Sequence, residues 1–250
     1  PDPDALASHE ALPAVLRDPP WDRKRSKHVV PAHIKGLTAP SIEATVTIPE
    51  DLLAAHRPRW DSMHNFETVE EHDASMVQFI LQNVERKERH DHWRRSFNTE
   101  YLLNIRQLEV VRQVWARFEQ GVFLFSSDHI GHLARFLDRH GSEVLDLACA
   151  LGSQRPEAGI EALRHCSGVT VVMYMADAYC GKKRGRVDAA AWLCEHPESV
   201  LSLIPRVFGE DRGERTRAEA AIALLAQHHE HDVLLEIARP HFEVEVLKSF

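Results

Sequence analysis

The sequence has little cysteine and no long apolar segment. Its four cysteines, Cys149, Cys166, Cys180 and Cys194, form no C-x-x-C pair, and no secretory leader precedes them, so a disulfide framework is not indicated. The longest largely apolar run, residues 169–176, is far shorter than the roughly 20 residues that cross a bilayer. We therefore predict reduced thiols, a cytoplasmic location and no membrane association.

The chain also lacks an excess of positive charge. Its 250 residues include 30 Lys and Arg against 38 Asp and Glu, which gives a formal net charge of −8 with neutral histidines. General affinity for nucleic acids rests on excess positive charge, so this balance does not indicate it. A hydrophobic share of 44% and a charged share of 27% are ordinary for a folded protein and exclude wholesale disorder. The chain begins at Pro1, as expected of an excised or processed segment.

Proline divides the chain into regions. Nine of the thirteen prolines fall in residues 1–58. Proline fits neither a helix interior nor a central strand, so we predict an irregular segment that packs on a helical body. Residues 42–48 alternate apolar and polar, which favours one exposed strand. By contrast, residues 59–120 contain neither proline nor glycine, which favours long helices.

Residues 59–126 are predicted to form a long helical hairpin. Apolar residues recur at steps of three and four over about residues 69–89 and again in the stretch that follows Asn98. Asn98 is a candidate N-cap of the second helix, and Gly121 is its candidate end. We expect the two helices to pack antiparallel, joined around residues 90–97.

Residues 127–250 contain a weak internal repeat. The pattern Leu-x-x-His-x-x-x-Val-Leu occurs at Leu137 and Leu193, and with one inserted residue at Leu225, while Leu163 begins a shorter version. These units follow one another at roughly 25 to 33 residues, the range of two-helix solenoid repeats. The predicted fold class is therefore all-α: a HEAT-like helical-repeat solenoid preceded by an irregular Pro-rich N-terminal segment.

The repeat also assigns roles to individual side chains. His140, His196 and His228 fall where the first helix of a hairpin meets its turn, and we predict that they cap or pack on helix ends. Residues 169–172 are β-branched and suit a strand, but we predict a helix because their neighbours are helical. Helical spacing predicts the following core residues: Trp115, Phe118, Leu137, Trp192, Leu193, Leu201 and Leu225.

Two stretches are similar to a known family. Residues 12–21, Leu-Pro-Ala-Val-Leu-Arg-Asp-Pro-Pro-Trp, with the basic residues 23–25, resemble a segment of large bacterial proteins of the molybdate-metabolism-regulator-like type, which often carry a WGR domain. Residues 189–198, running on through residues 217–221, are similar to the HEAT-like part of the same proteins. The resemblance implies a bacterial origin and a helical scaffold, and it brings no catalytic residues. The chain contains no Trp-Gly-Arg triplet, so the WGR module is absent from it.

His129 and His132 form a candidate metal pair. They are spaced i, i+3 at a predicted helix start, and such a face can hold a divalent metal if a third ligand arrives from elsewhere. In the alternative interpretation, Asp128 caps the helix and the histidines are surface or packing residues, because no H-E-x-x-H motif accompanies them. The histidine clusters in residues 90–92 and 228–232 are interpreted as polar segments. We predict no cofactor.

Lys182, Lys183, Arg184 and Arg186 form a basic run that follows Gly181 and is interrupted by Gly185. The run lacks the G-x-x-x-x-G-K-[ST] spacing of a phosphate loop. It is either a binding site for a phosphate or an acidic partner, or a solvated linker between hairpins. Residues 23–27 form a second basic run with the same two interpretations.

The patterns leave three functional hypotheses. The first is a non-catalytic scaffold whose inner helices line a concave surface that binds another protein. The alternative is a HEAT-like nucleic-acid-binding protein with a shape related to HEAT-like DNA glycosylases, which requires a contiguous basic inner face. The third is a metal-dependent enzyme that uses His129 and His132. The adjacent His165 and Cys166 are not predicted to form a nucleophile, since neighbouring residues on a helix diverge by about 100°.

Overall fold

Helices supply the regular structure of the chain. The structure, a computed structural model, describes residues 34, 36–40, 42–55, 68–85, 92–118, 122–125, 127–181 and 185–248. Within these ranges the fold is all-α, as predicted, and the only β-pairing is an isolated bridge between Val46 and Cys166. No described helix is both long and apolar enough to cross a membrane. Two sets of predictions lie outside the described residues: the resemblance carried by residues 12–21 and the basic run at residues 23–27.

Most of the described helices have 13 residues or fewer, and short turns join several of them. The first four are α1 (Glu50–Ala55), α2 (Val69–Glu85), α3 (His92–Asn104) and α4 (Leu108–Arg117). The next five are α5 (Ile130–His140), α6 (Leu145–Gly152), α7 (Pro156–Leu163), α8 (Val169–Cys180) and α9 (Arg186–Glu195). The last four are α10 (Val200–Val207), α11 (Arg212–His228), α12 (His231–Ala238) and α13 (Val244–Lys248). The β-branched residues 169–172 are helical, as predicted.

The long helix predicted to run from Asn98 to Gly121 is broken, so that prediction is wrong. Asn98 lies inside α3, where its buried amide donates to the Val122 carbonyl at 3.3 Å. The backbone leaves the helix at residues 105–107 before α4 begins. A break of this kind frees backbone groups that must find other partners.

The Asp73 carboxylate accepts the amides freed by the break. Its two oxygens accept the backbone N–H groups of Arg106 at 2.9 Å and Gln107 at 2.8 Å. Asp73 comes from α2 and is 1% exposed, and its neighbour His72 places Nδ1 3.0 Å from the same carboxylate. Charge-assisted bonds of this kind are the stronger class of hydrogen bond. The break is therefore specified by a residue far away in the sequence.

The carbonyl groups of the break are bonded from α5. The Ile105 carbonyl accepts from Arg139 Nη1 at 3.1 Å and from His140 Nε2 at 3.2 Å. Ile105 itself is fully buried. Together with Asp73, these two side chains tie α2, the α3–α4 break and α5 into one unit.

From α5 onward the helices lie in two rows. In row A, comprising α5, α7, α9 and α11, each helix packs on the next, and row B, comprising α6, α8, α10 and α12, repeats the arrangement. Helix α3 also packs on α5, so it continues row A towards the N-terminal side. The apolar faces between the rows form one hydrophobic core.

Two glycines allow α6 and α7 to approach closely. A Cβ on Gly159 would overlap the Tyr174 hydroxyl oxygen and lie 2.6 Å from the Gly152 Cα. The Tyr174 hydroxyl donates to the Pro156 carbonyl at 3.3 Å, and burial raises the pKa of Tyr174. Glycine is required at position 159 because no side chain fits there.

Residues 42–48 run extended along the α7–α8 turn without forming the predicted strand. Thr47 donates its amide to the His165 carbonyl at 3.0 Å, and Ser167 donates its amide to the Thr45 carbonyl at 2.9 Å. The backbone hydrogen bonding of residues 42–48 does not continue into a sheet because the segment they pair with is a turn rather than a strand.

The predicted core residues are mostly correct. Trp115 and Phe118 are only half-buried, and both pack against Phe123. The buried members of the predicted set are Leu137, Trp192, Leu193, Leu201 and Leu225.

Candidate functional site

A groove lies between α7 and α9, two neighbouring helices of row A. Its volume is about 300 Å³, at the lower end of the range for ligand pockets. Residues at i, i+3, i+4 and i+7 of both helices face into it, so each helix contributes one continuous stripe. The lining residues are Glu157, Ile160, Glu161 and Arg164 of α7 and the turn after it, with Asp188, Ala191, Trp192 and Glu195 of α9.

The floor of the groove is apolar and fixed in place. Ile160 is 3% exposed and Trp192 is 4% exposed. The Trp192 indole donates to the Arg164 carbonyl at 3.1 Å and stacks on the His196 ring, with centroids 4.0 Å apart. His196 Nδ1 in turn donates to the Trp192 carbonyl at 2.7 Å. The indole is therefore held by one hydrogen bond and by stacking on His196, which is itself bonded to the Trp192 backbone, and its position does not depend on a ligand.

The rim of the groove is acidic. The eight lining residues, all in the described part of the chain, include four carboxylates (Glu157, Glu161, Asp188 and Glu195) and one cation, Arg164, which leaves a charge of −3. All five of these charged residues are exposed. The groove therefore combines a fixed apolar floor with a negative rim.

The helices run in the same direction along the groove. At one end, a Cβ added to Gly185, which precedes α9, would lie 3.3 Å from the Glu157 amide nitrogen. At the other end the Trp192 indole bonds the carbonyl of Arg164, after the last residue of α7. Glu157 and Asp188 therefore share the N-terminal end of the groove, and Arg164 and Glu195 share the C-terminal end.

The predicted basic site is only partly placed. Lys182, Lys183 and Arg184 lie outside the described residues. Arg186 is exposed at the start of α9, and its guanidinium lies 5.1 Å from the centroid of the Tyr179 ring. Gly185, which directly precedes Arg186, has φ of +99° and ends the turn that leads into α9.

His129 and His132 lie near each other but face different partners. Their ring centroids are 6.5 Å apart. His129 is 3% exposed with Nε2 3.1 Å from the Ser96 hydroxyl, and His132 Nε2 lies 3.6 Å from a Glu100 carboxylate oxygen. Burial, together with the neighbouring His132, lowers the pKa of His129 to about 4. A neutral buried imidazole at neutral pH is compatible with packing against α3.

The described residues contain no group of three or more His, Cys, Asp or Glu side chains that could hold a metal ion. Asp128 does not cap α5 as proposed from the sequence. It lies in a short 3₁₀ turn, Ser127–His129, and the N-cap position belongs to His129.

The cysteines do not have the properties of nucleophiles. Burial raises the pKa of Cys149 and of Cys166 to about 12, so both are protonated thiols at neutral pH. Burial also raises the pKa of Cys180 and Cys194. All four thiols are free.

The recurring histidines bond to helix ends, with one change of register. His140 and His196 donate to the carbonyls of Ile105 and Trp192. His228, the third predicted member, is exposed, and its neighbour His229 donates to the Cys194 carbonyl at 2.8 Å instead. The inserted residue in the third repeat moves the structural position by one. The prediction for His228 is therefore wrong, and the role belongs to His229.

These bonds have a common form along row A. A ring N–H from one helix region reaches the carbonyl at the end of the preceding helix: from His140 to Ile105, from Trp192 to Arg164, and from His229 to Cys194. Terminal carbonyls have no partner within their own helix. We call these three contacts the row-end bonds.

A larger groove of about 440 Å³ lies between α2 and α4. Its walls are mostly apolar and include Ala74, Val77 and Val110. Of its two carboxylates, Asp73 already bonds the α3–α4 break. The charges of this groove therefore do not specify a ligand.

The four groove carboxylates were not singled out from the sequence. Glu157 and Glu161 are spaced i, i+4, and Asp188 and Glu195 are spaced i, i+7. Each spacing marks one helix face, but nothing in the sequence shows that the two faces meet. A comparison with protein-family models finds no match to this chain, and searches of curated proteins and of solved structures also find none.

Proposed function

We propose that this chain is a non-catalytic, HEAT-like helical-repeat scaffold that binds another protein through the exposed face of row A. Helix-on-next-helix packing in both rows supports the proposal, because stacked hairpins extend a surface along one direction. The observation that carries it is the α7–α9 groove, whose floor is held in place by Trp192 without a ligand. Preformed concave surfaces of this kind bind with little cost of ordering.

Several of the described arginines are engaged within the fold, which favours a protein partner over nucleic acid. Arg206 and Arg217 pair with Glu214 and Asp177. Others donate to backbone carbonyls, as Arg135 does to Leu53 at 2.6 Å. Phosphate binding needs cations that face the ligand, and the α7–α9 face of row A is acidic instead.

A photo-crosslinking experiment in the source organism tests the scaffold proposal. A benzoyl-phenylalanine placed at Ala223, an exposed position of α11 outside the groove, reports on row A, and the same group at Glu236 of α12 reports on row B. We expect a discrete protein adduct from position 223 that excess untagged protein competes away, and none from position 236. Recovery of nucleic acid alone, or of no adduct from row A, would contradict the proposal.

A further inference from the structure

We propose that the α7–α9 groove binds a cationic amphipathic protein segment, with apolar side chains on its floor and Arg or Lys side chains on its rim. The inference rests on the proposed scaffold function and deepens it by naming the chemistry of the partner. The groove has two parallel helix faces, an apolar floor and a charge of −3, so a segment with cations beside an apolar stripe matches it in shape and in charge.

The placement of Glu161 and Glu195 separates a binding role from a structural one. Glu157 and Asp188 lie in the first turns of α7 and α9, where a carboxylate stabilises its own helix. Glu195 is the last residue of α9, and Glu161 is two residues before the end of α7. A carboxylate near a helix C-terminus is unfavourable for the helix. Helix stability therefore does not explain these two carboxylates, whereas a cationic partner does.

The two carboxylates are also available to a partner. Glu161 and Glu195 are exposed, and neither forms an ion pair with another described residue. The buried Trp192 and Ile160 line the same groove. A cation that enters beside these apolar groups is partly shielded from water, which strengthens its attraction to the carboxylates.

Fluorescence anisotropy with the full chain tests the inference. The probe is a fluorescein-labelled peptide of about 16 residues, roughly four helical turns, with Arg and Leu on adjacent faces. We expect saturable one-to-one binding that weakens as salt rises from about 0.05 M to about 0.5 M. A peptide of the same pattern with Glu in place of Arg should not bind.

The decisive variant is Glu161→Gln with Glu195→Gln. We expect it to weaken binding of the Arg/Leu peptide by at least about tenfold, while its melting temperature is unchanged or higher because both unfavourable charges are gone. The matched control is Glu230→Gln with Glu236→Gln, two exposed glutamates at the start of and within α12 in row B, and it should bind within about twofold of the unchanged chain. Equal loss in both pairs would indicate non-specific charge attraction and overturn the groove assignment.

Two further arms complete the test. A fluorescein-labelled DNA duplex and a labelled single strand should not bind to the full chain. If either DNA binds and the Arg/Leu peptide does not, the inference is overturned. Failure of the peptide together with a protein adduct from position 223 would reject the groove and leave the scaffold standing. Failure of both experiments would reject the proposed function as well.

Discussion

The α3–α4 break and the stacked rows satisfy helix ends in different ways. At the break, Asp73 from α2 and two side chains from α5 bond the free backbone groups. Along the rows, the donor comes from the next hairpin, as with His229 and Cys194. The break depends on the buried Asp73 carboxylate in addition to the row-end bond from His140, whereas the later row ends depend on ring N–H groups and the rows on close approach at Gly159.

The difference shows where the chain is most sensitive to substitution. A buried carboxylate that bonds two backbone amides cannot be replaced by water or by a neighbouring group, since Asp73 is 1% exposed. The row-end bond from His229 to Cys194 joins two half-buried residues, so water can take over part of its role. We therefore expect a graded series of effects from the break to the rows.

Asp73→Ala should have the largest effect. It removes a buried acceptor and leaves the amides of Arg106 and Gln107 unpaired, which we expect to cost about 4 kcal/mol of unfolding free energy. Urea denaturation measures this change. Glu70→Ala, an exposed carboxylate of the same helix, should change stability by less than about 1 kcal/mol. Similar losses from the two substitutions would contradict the role assigned to Asp73 at the α3–α4 break.

The second effect is a pH dependence that comes from His129. In the unfolded chain its pKa is 6.5, whereas in the folded protein burial holds its pKa at about 4. The unfolded state therefore binds more protons between these values, and stability falls as pH decreases from about 6.5 to about 4, by up to about 3 kcal/mol. His129→Gln should flatten this part of the urea-stability profile. An unchanged slope would show that the pKa of His129 is not lowered in the folded protein. Burial also lowers the pKa of His140 and His165, so a reduced slope of the same sign should remain.

Gly159→Ala comes third and tests the close approach of the rows. Its Cβ would overlap the Tyr174 hydroxyl, and we expect a loss of about 2 kcal/mol from the forced shift of α6 against α7. Gly213→Ala is a matched control in the first turn of α11, where the added Cβ lies 3.1 Å from Asp211 Oδ1 and 3.2 Å from Arg217 Nη1, both side-chain atoms. We expect it to change stability by less than about 1 kcal/mol. Thermal melts should therefore show a clearly larger loss for Gly159→Ala than for the same chemical change at Gly213. Equal shifts would argue against close packing at Gly159.

The smallest effect is expected at the row-end bond of His229. His229→Ala removes the donor to the Cys194 carbonyl and should cost about 1 kcal/mol. The adjacent His228→Ala should change stability by no more than about 0.5 kcal/mol, because His228 is exposed. A larger loss at position 228 than at position 229 would restore the register predicted from the sequence.

The sequence predicts the helical class and many local features. The absence of proline and glycine from residues 59–120 correctly indicates helices, and Pro156 begins α7 as a first-turn proline should. Helical neighbours correctly override the β-branched residues at 169–172. These features depend on local physics, so a single sequence is enough to find them. The HEAT-like arrangement itself stays a prediction.

The features that the sequence did not predict depend on distant contacts. The break at residues 105–107 is specified by Asp73, more than 30 residues away, so apolar periodicity alone gives one continuous helix. The groove carboxylates become a set only when α7 and α9 lie side by side. Periodicity identifies a face of one helix and carries no information about which second face it meets.

The row-end bonds give the stack a direction. In each of them the acceptor lies earlier in the chain than the donor, as with Ile105 and His140 or Cys194 and His229. During synthesis from the N-terminus, each helix end therefore emerges incomplete and is closed by the hairpin that follows it. Folding that proceeds with translation completes the row step by step, whereas unravelling that begins at the later hairpins reopens the earlier helix ends in reverse order.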